Sequence, residues 1–331
     1  MPRPSPIASG RRRHIDQGLL FGSQQPGIHE GQVSTCALCL DHRPLRDSHI
    51  VPKFIFEHLK RTSATGFLRA GTEPNLRAQD GVKVPLLCEQ CEQRFSVFER
   101  SFAQGLFRPY SADRSRIISY GPWLAKFAAS LTWRILQYYK REGHLNELQP
   151  QHLPAVEVAL RVWREYLLGL RPHPDRFEQH MLPIDVLQSA SIPGLPPNFN
   201  RYSVRAVDMD VASGKHFAFV YAKLPRFVFI GWITPPAKRR PWKGTRLQTK
   251  AGQVRPREYA ISDDFFEYMV GKASRANALS HNISPRQQEI INRATLANLE
   301  RTSASETVEA MSYDVEMFGL AAFHTPDEPE A

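Results

Sequence analysis

Cysteine is scarce in this chain: its 331 residues contain four. A disulfide-rich secreted domain uses far more of them, so that class is excluded. Long apolar runs are missing too. Nothing approaches the ~18 consecutive apolar residues of a membrane-spanning helix, and stretches such as Phe227-Val228-Phe229-Ile230 have the length of a buried strand. No membrane association is expected. The N-terminus, Met1-Pro2-Arg3-Pro4-Ser5-Pro6, lacks the apolar segment of a secretory signal, which points to the cytoplasm. There is no internal repeat of the kind that builds a solenoid.

What is present is enough for a substantial core. Hydrophobic residues make up 42% and aromatics 10%, which excludes wholesale disorder. The length allows about two domains and tails. Basic residues outnumber acidic ones, 43 to 33, for a net charge of +10. Such an excess suits a polyanion, nucleic acid first and an anionic membrane surface second; a merely basic soluble surface explains it equally well.

All four cysteines fall into two Cys-x-x-Cys pairs, Cys36/Cys39 and Cys88/Cys91. One pair alone is also a redox motif. Two pairs with no thiol left over suit a closed tetrahedral Zn²⁺ site, because each tight turn aims two thiolates at one ion. Two independent or redox pairs are the alternative. The 48 residues between Cys39 and Cys88 exceed a usual zinc-ribbon insert, so the insert is expected to be structured itself.

The pattern divides the chain into a basic Pro- and Gly-containing arm (1–30), a cysteine-bracketed module (31–115), a larger region (116–320) and an acidic tail (321–331), with both ends expected to be disordered. In the module, Pro52 precedes a helical run with apolar positions at Phe54, Ile55 and Leu59. Residues 66–87 read as a loop followed by a short strand entering Cys88. Phe95, Phe98, Phe102 and Leu106 then line one helix face. Residues 116–185 read as helical, with stripes at Trp123, Leu124, Phe127, Leu131, Ile135 and Tyr139, then at Val156, Leu160, Trp163 and Leu167.

From Tyr202 the period changes to two. Tyr202, Val204 and Ala206, then Phe217, Phe219 and Tyr221, then 227–230 predict an antiparallel meander of about three strands. Residues 234–258 read as a basic, Pro-rich loop, in which Trp242 beside Lys238-Arg239-Arg240 could stack on a base, a merely exposed loop being the plainer reading. Helices are expected at 262–277 and at 285–300, the latter with Ser284 as N-cap and Pro285 in the first turn. The expected fold class is α+β.

Between the pairs lies Arg46-Asp47-Ser48-His49-Ile50-Val51-Pro52-Lys53. A lone histidine is more often structural than catalytic, but His49 stands just before a helix in a zinc-bracketed segment. A neutral imidazole there can take a proton from water. Cys-x-x-Cys, then Ser-His-Ile-x-Pro, then Leu-Cys-x-x-Cys resembles the zinc-bearing branch of the HNH endonucleases, over residues 33–110. The resemblance implies a ββα-metal fold in which two strands and a helix surround a catalytic ion and a structural zinc braces them. It implies hydrolysis of phosphodiester bonds in nucleic acid, DNA ahead of RNA. By position, His49 matches the general base, Cys36, Cys39, Cys88 and Cys91 match the zinc ligands, and Asn75 is the candidate for the middle Asn.

Two positions depart from the family. Ser48 stands where relatives carry Asp or His, which leaves Asp47 as the nearest carboxylate. Glu92 stands where the last His is expected. Asp47 and Glu92 are therefore the candidate ligands of a catalytic Mg²⁺ or Mn²⁺ ion, both of which favour oxygen donors. On an extended segment Asp47 and His49 share a face and Ser48 turns away. Arg69, Arg77, Arg94, Arg100 and Arg108 flank the knuckles as phosphate-positioning candidates or as a solvated basic face. Two further readings remain open: a nucleic-acid-binding zinc module without catalysis, and a zinc-stabilised protein-interaction module.

Overall fold

The computed structural model describes residues 32–189, 194–237, 241–256 and 258–323. The expected basic arm, nearly all of the acidic tail and Lys238-Arg239-Arg240 lie outside them. The elements run in chain order as β1 (Val33–Thr35), β2 (His42–His49), α1 (Lys53–Arg61), β3 (Leu68–Arg69), β4 (Arg77–Ala78), β5 (Lys83–Cys88) and α2 (Glu89–Phe102). A π-helical turn, Ala103–Phe107, leads into α3 (Arg108–Ala112), β6 (Ile118–Tyr120), α4 (Pro122–Arg141), α5 (Leu153–Leu168), β7 (Gln179–Pro183) and α6 (Phe199–Arg205). The chain then continues through β8 (Asp208–Ser213), β9 (Ala218–Leu224), β10 (Phe227–Thr234), β11 (Gly252–Val254), α7 (Asp263–Ser280), α8 (Pro285–Leu296), α9 (Leu299–Ser303) and α10 (Glu306–Phe318). Helices and small antiparallel sheets together make an α+β fold. Among the described residues no helix is long and apolar enough to cross a membrane.

The central sheet is antiparallel, in the order β7-β10-β9-β8. Both of its faces are covered, which explains why β9 and β10 read as nearly unbroken apolar runs. Along β10 the side chains alternate between two clusters. Phe227, Phe229 and Ile233 join the main core, while Val228, Ile230 and Trp232 join a second cluster with Phe265 and Met269 of α7. α4 and α5 pack so closely on the first face that a Cβ at Gly231 would lie 2.9 Å from Thr132 and from Trp163. α4 is buried on nearly every side because α2, α5 and the sheet all press on it.

The cysteine-bracketed segment shares this core. Its sheet runs β1-β2-β5, and α2 carries it onto α4. Phe95 meets Trp133 edge-on at 6.0 Å, and Phe102 stacks on Phe127 at 4.0 Å with Phe227 and Phe229 at its edges. One buried cluster extends from Cys36 to Val254.

The structure corrects three expectations. The alternation from Tyr202 to Ala206 is helical, in α6, and the first strand of the meander starts later, at Asp208. Tertiary partners explain this: the Asp314 carboxylate accepts from the Asn200 and Arg201 amides, and the buried Lys223 ammonium caps the carbonyl of Ser203 at the helix end. Ser203 is as buried as Tyr202 and Val204, so the alternation carries no exposed face. Residues 116–185 are not all helix either, since β7 forms the sheet's fourth strand against β10. The helix expected at 285–300 ends at Leu296; Ser284 caps it as expected, accepting from the Gln287 amide.

α10 returns to the module. The Glu306 carboxylate meets His58 Nε2 at 3.2 Å and Arg205 at 3.1 Å. Burial alone would raise its pKa, but the hydrogen bond and charge of His58 and the charge of Arg205 prevail and bring it down to about 2. A depressed carboxylate stabilises the fold fully above its unfolded value and loses that contribution as pH falls through the folded value. Wild type should therefore exceed Glu306→Gln in unfolding free energy by about 3 kcal/mol near neutrality, and the gap should close between about pH 5 and pH 2 in an acid titration of stability. Phe102→Ala should cost about 3–5 kcal/mol. Because its ring joins both halves, tryptophan fluorescence and far-ultraviolet circular dichroism should still report a single coincident transition.

Candidate functional site

The two Cys-x-x-Cys turns come together although they are far apart in sequence. The first links β1 to β2, closed by the Cys36 amide to the Asp41 carbonyl (2.9 Å) and the Leu40 amide to the Cys36 carbonyl (2.9 Å), with Leu40 in the left-handed region at φ 69°. The second spans the end of β5 and the first turn of α2. The Ala37 amide binds the Leu86 carbonyl at 3.0 Å and the Cys88 amide donates to Cys36 Sγ at 3.3 Å. All four sulfurs lie within 4.8 Å of one another, Cys39 and Cys88 at 3.8 Å. Four ligands at a Zn–S distance of ~2.3 Å leave tetrahedral edges of ~3.8 Å. The cluster therefore fits one shared ion rather than two separate pairs. The four are free thiols, not disulfides. Hydrogen bonding from Cys91 pulls Cys36 down, and the same contact pushes Cys91 up.

His49 ends β2, as a residue poised before a helix should. Its Nε2 lies 2.8 Å from Asp80 Oδ2, and Lys83 Nζ reaches the same oxygen at 3.0 Å. The His49 and Asp80 side chains are 19% and 18% exposed, so the pair sits at the surface rim. Burial raises the Asp80 pKa, but the hydrogen bonds from His49, Lys83 and the Gly81 amide outweigh it and leave the carboxyl below its ordinary range. An ionised carboxylate only accepts, so His49 Nε2 carries the proton and a neutral ring presents its lone pair at Nδ1. Nδ1 makes no hydrogen bond among the described residues. The Asp80-Gly81 turn is pressed onto α1: a Cβ at Gly81 would meet the Phe56 ring at 2.4 Å.

Behind the strand, the Arg134 guanidinium of α4 donates to the His49 carbonyl at 2.8 Å, lies 2.8 Å from Glu99, and is 1% exposed. It fixes the end of β2 from the main core.

The remaining predicted site residues are placed elsewhere. A bulge at Arg46/Asp47 interrupts the β2–β5 pairing. Asp47 does alternate with the inward-facing Ser48, but it is exposed and forms no ion pair among the described residues; the carboxylate on His49 is Asp80. Glu92, in the first turn of α2, takes the hydrogen bond of the Ser48 hydroxyl, which in turn accepts from the Leu87 amide at 3.2 Å. Burial pushes Glu92 upward, against Ser48 and the charge of Arg134. Asn75 spends both amide ends on the turn before α8, donating to the Asn282 carbonyl (2.8 Å) and accepting from the Ser284 amide (2.7 Å). Asp47 and Glu92 thus do not fit as a paired Mg²⁺ or Mn²⁺ site. Among the described residues, the thiol quartet is the one group of three or more such ligands placed to hold an ion.

Comparison with protein-family models, curated proteins and solved structures gives no match for this chain. The functional reading stands on the geometry.

Sequence reasoning missed Asp80 and Arg134. Asp80 precedes a glycine and reads as turn chemistry, and only the register that sets Lys83 opposite His49 brings it to the imidazole. Arg134 lies between Trp133 and Ile135 in the middle of a helix with long apolar stripes, and a charge at that place was the available signal.

The quartet predicts about one Zn²⁺ per chain in protein purified under reducing conditions, measured by elemental analysis. Cys36→Ser should lose the metal and unfold the β1-β2-β5 sheet, because metal binding and local folding are one equilibrium there. Zinc-free wild type that keeps its full circular dichroism would refute this.

Proposed function

We propose that the chain is a zinc-braced nuclease hydrolysing phosphodiester bonds in DNA, with His49 as general base. The observation that carries this reading is the His49–Asp80 pair at the end of β2, a half-buried imidazole with one nitrogen bonded to a carboxylate and the other open. Asp80 holds the ring in the tautomer that leaves Nδ1 basic, as an orienting carboxylate does in hydrolytic triads. A water on Nδ1 transfers its proton there while its oxygen bonds to phosphorus and the ester oxygen departs. Lys83 adds positive charge beside the pair, and the net charge of +10 suits a polyanion.

The thiol quartet, filled with Zn²⁺, is structural, since four protein ligands leave no open position for substrate. A bound Mg²⁺ or Mn²⁺ ion would supply stabilisation of the leaving oxygen. Both Asp80 oxygens are engaged already, Oδ2 by His49 and Lys83 and Oδ1 by the Gly81 amide, so phosphate and water would provide most of the ligands of such an ion. The missing Asp47–Glu92 pair favours the second reading, a zinc module that binds nucleic acid without cutting it.

Plasmid cleavage by the full chain, with and without Mg²⁺ or Mn²⁺, separates the two. His49→Ala should lower turnover by ~10²–10⁴-fold with zinc content and DNA affinity unchanged, since the base acts on the attacking water rather than on the ground-state complex. Asp80→Asn should also slow turnover and shift the pH profile, because the amide no longer dictates the tautomer. Wild type inactive with every divalent ion, yet binding DNA, would establish the binding reading. His49→Ala as active as wild type would remove His49 from the chemistry.

A further inference from the structure

The β3–β4 hairpin takes no part in holding the thiol quartet or His49. Its register sets Arg69 directly across from Arg77. Both guanidiniums lie over the Phe67 ring, Arg77 at 4.0 Å and Arg69 at 5.3 Å from its centroid. Two cations gathered on one ring repel each other, and a carboxylate would normally sit between them. Here no carboxylate pairs with either one among the described residues. Arg69 donates only to neutral acceptors, the Pro74 carbonyl at 2.6 Å and Gln287 Oε1 at 3.1 Å. Arg77 is exposed and makes no hydrogen bond among the described residues, so its fork of donors faces solvent, with the plane held by the ring beneath it. Burial, and then the charge of Arg77, makes Arg69 harder to keep protonated; an anion bridging the two would relieve that cost. The other flanking arginine with a defined contact, Arg94, is turned to the Leu168 carbonyl on a different face.

The location fits a polyanionic strand. Arg77 lies three residues before Asp80, the partner of His49. At ~3.6 Å per residue their Cα atoms are within about 11 Å. Successive nucleotides rise ~3.4 Å along a strand, so at most about three of them cover that span.

We propose that Arg69 and Arg77, stacked on Phe67, form a clamp for a backbone phosphate of the DNA strand that reaches His49 with a phosphodiester up to about three nucleotides further along. The clamp deepens the nuclease reading and rests on its nucleic-acid part. It recognises phosphate rather than base, so it positions the strand without specifying its sequence. Planar guanidiniums suit this role because they meet phosphate oxygens through paired N–H bonds.

The test is equilibrium binding of the zinc-loaded full chain to a short fluorescein-labelled duplex of mixed sequence, followed by anisotropy over a series of salt concentrations. Arg77→Ala should weaken binding about tenfold at physiological salt. It should also make the slope of log Kd against log salt shallower by about one, and the Arg69→Ala/Arg77→Ala double variant by about two. Arg77→Lys should keep the wild-type slope, since it keeps the charge, while binding more weakly through loss of the stacked fork. Arg293→Ala, on the exposed face of α8, should match wild type. If wild type binds with a salt-dependent Kd but Arg77→Ala keeps its slope and affinity, the clamp is wrong and the nuclease reading survives. If wild type shows no salt-dependent binding at all, the clamp and the nucleic-acid reading fall together.

Discussion

The convergence of four thiols is the constraint on which the rest of the module depends. Two tight turns, separated by 48 residues of chain, must bring their sulfurs within 4.8 Å of each other. Doing so sets β2 beside β5, closes the three-stranded sheet, and starts α2 at the second turn. With β2 and β5 in register, His49 stands opposite Lys83, and the Asp80-Gly81 turn is delivered to the imidazole. Without that closure the insert would be a long loop with a high entropy of ordering. The proposed chemistry therefore depends on a cluster that takes no part in it.

The second support comes from outside the module. α2 carries Phe95 and Phe102 into the core of the larger region, and α4 sends Arg134 back to the carbonyl of His49. A buried guanidinium is costly unless it is fully engaged. Here it bonds to two backbone carbonyls and meets Glu99. That investment holds the last residue of β2 still. The larger region thus supports the candidate site through Arg134.

The insert between the cysteine pairs also has two faces with different roles. Its end, the Asp80-Gly81 turn, is packed on Phe56 of α1 and holds His49 through Asp80. Its middle, the β3–β4 hairpin, is anchored from the C-terminal region: Gln287 of α8 meets Arg69, and the turn before α8 holds Asn75. Asn75, the candidate for the middle Asn, is thus a fastening between distant segments, while Arg77 is left with open donors.

The sequence by itself determined the zinc-compatible pairing of its cysteines, the position of His49 just before a helix, the stripes of α2, α4 and α5, and the cap of α8. Each of these is a local pattern of spacing or capping, and local patterns are legible without knowing the fold. Only the tertiary structure decided which carboxylate meets His49, where Glu92 and Asn75 are spent, and that 199–205 is helix. Those outcomes depend on groups far apart in sequence: Asp80 across a sheet register, Asp314 on the amides of α6, Lys223 on its carbonyls. An alternation of large and small residues has the same appearance in a strand and in a short helix buried on all sides. What separates them is the set of distant partners that satisfy the backbone, and no window of sequence contains those partners.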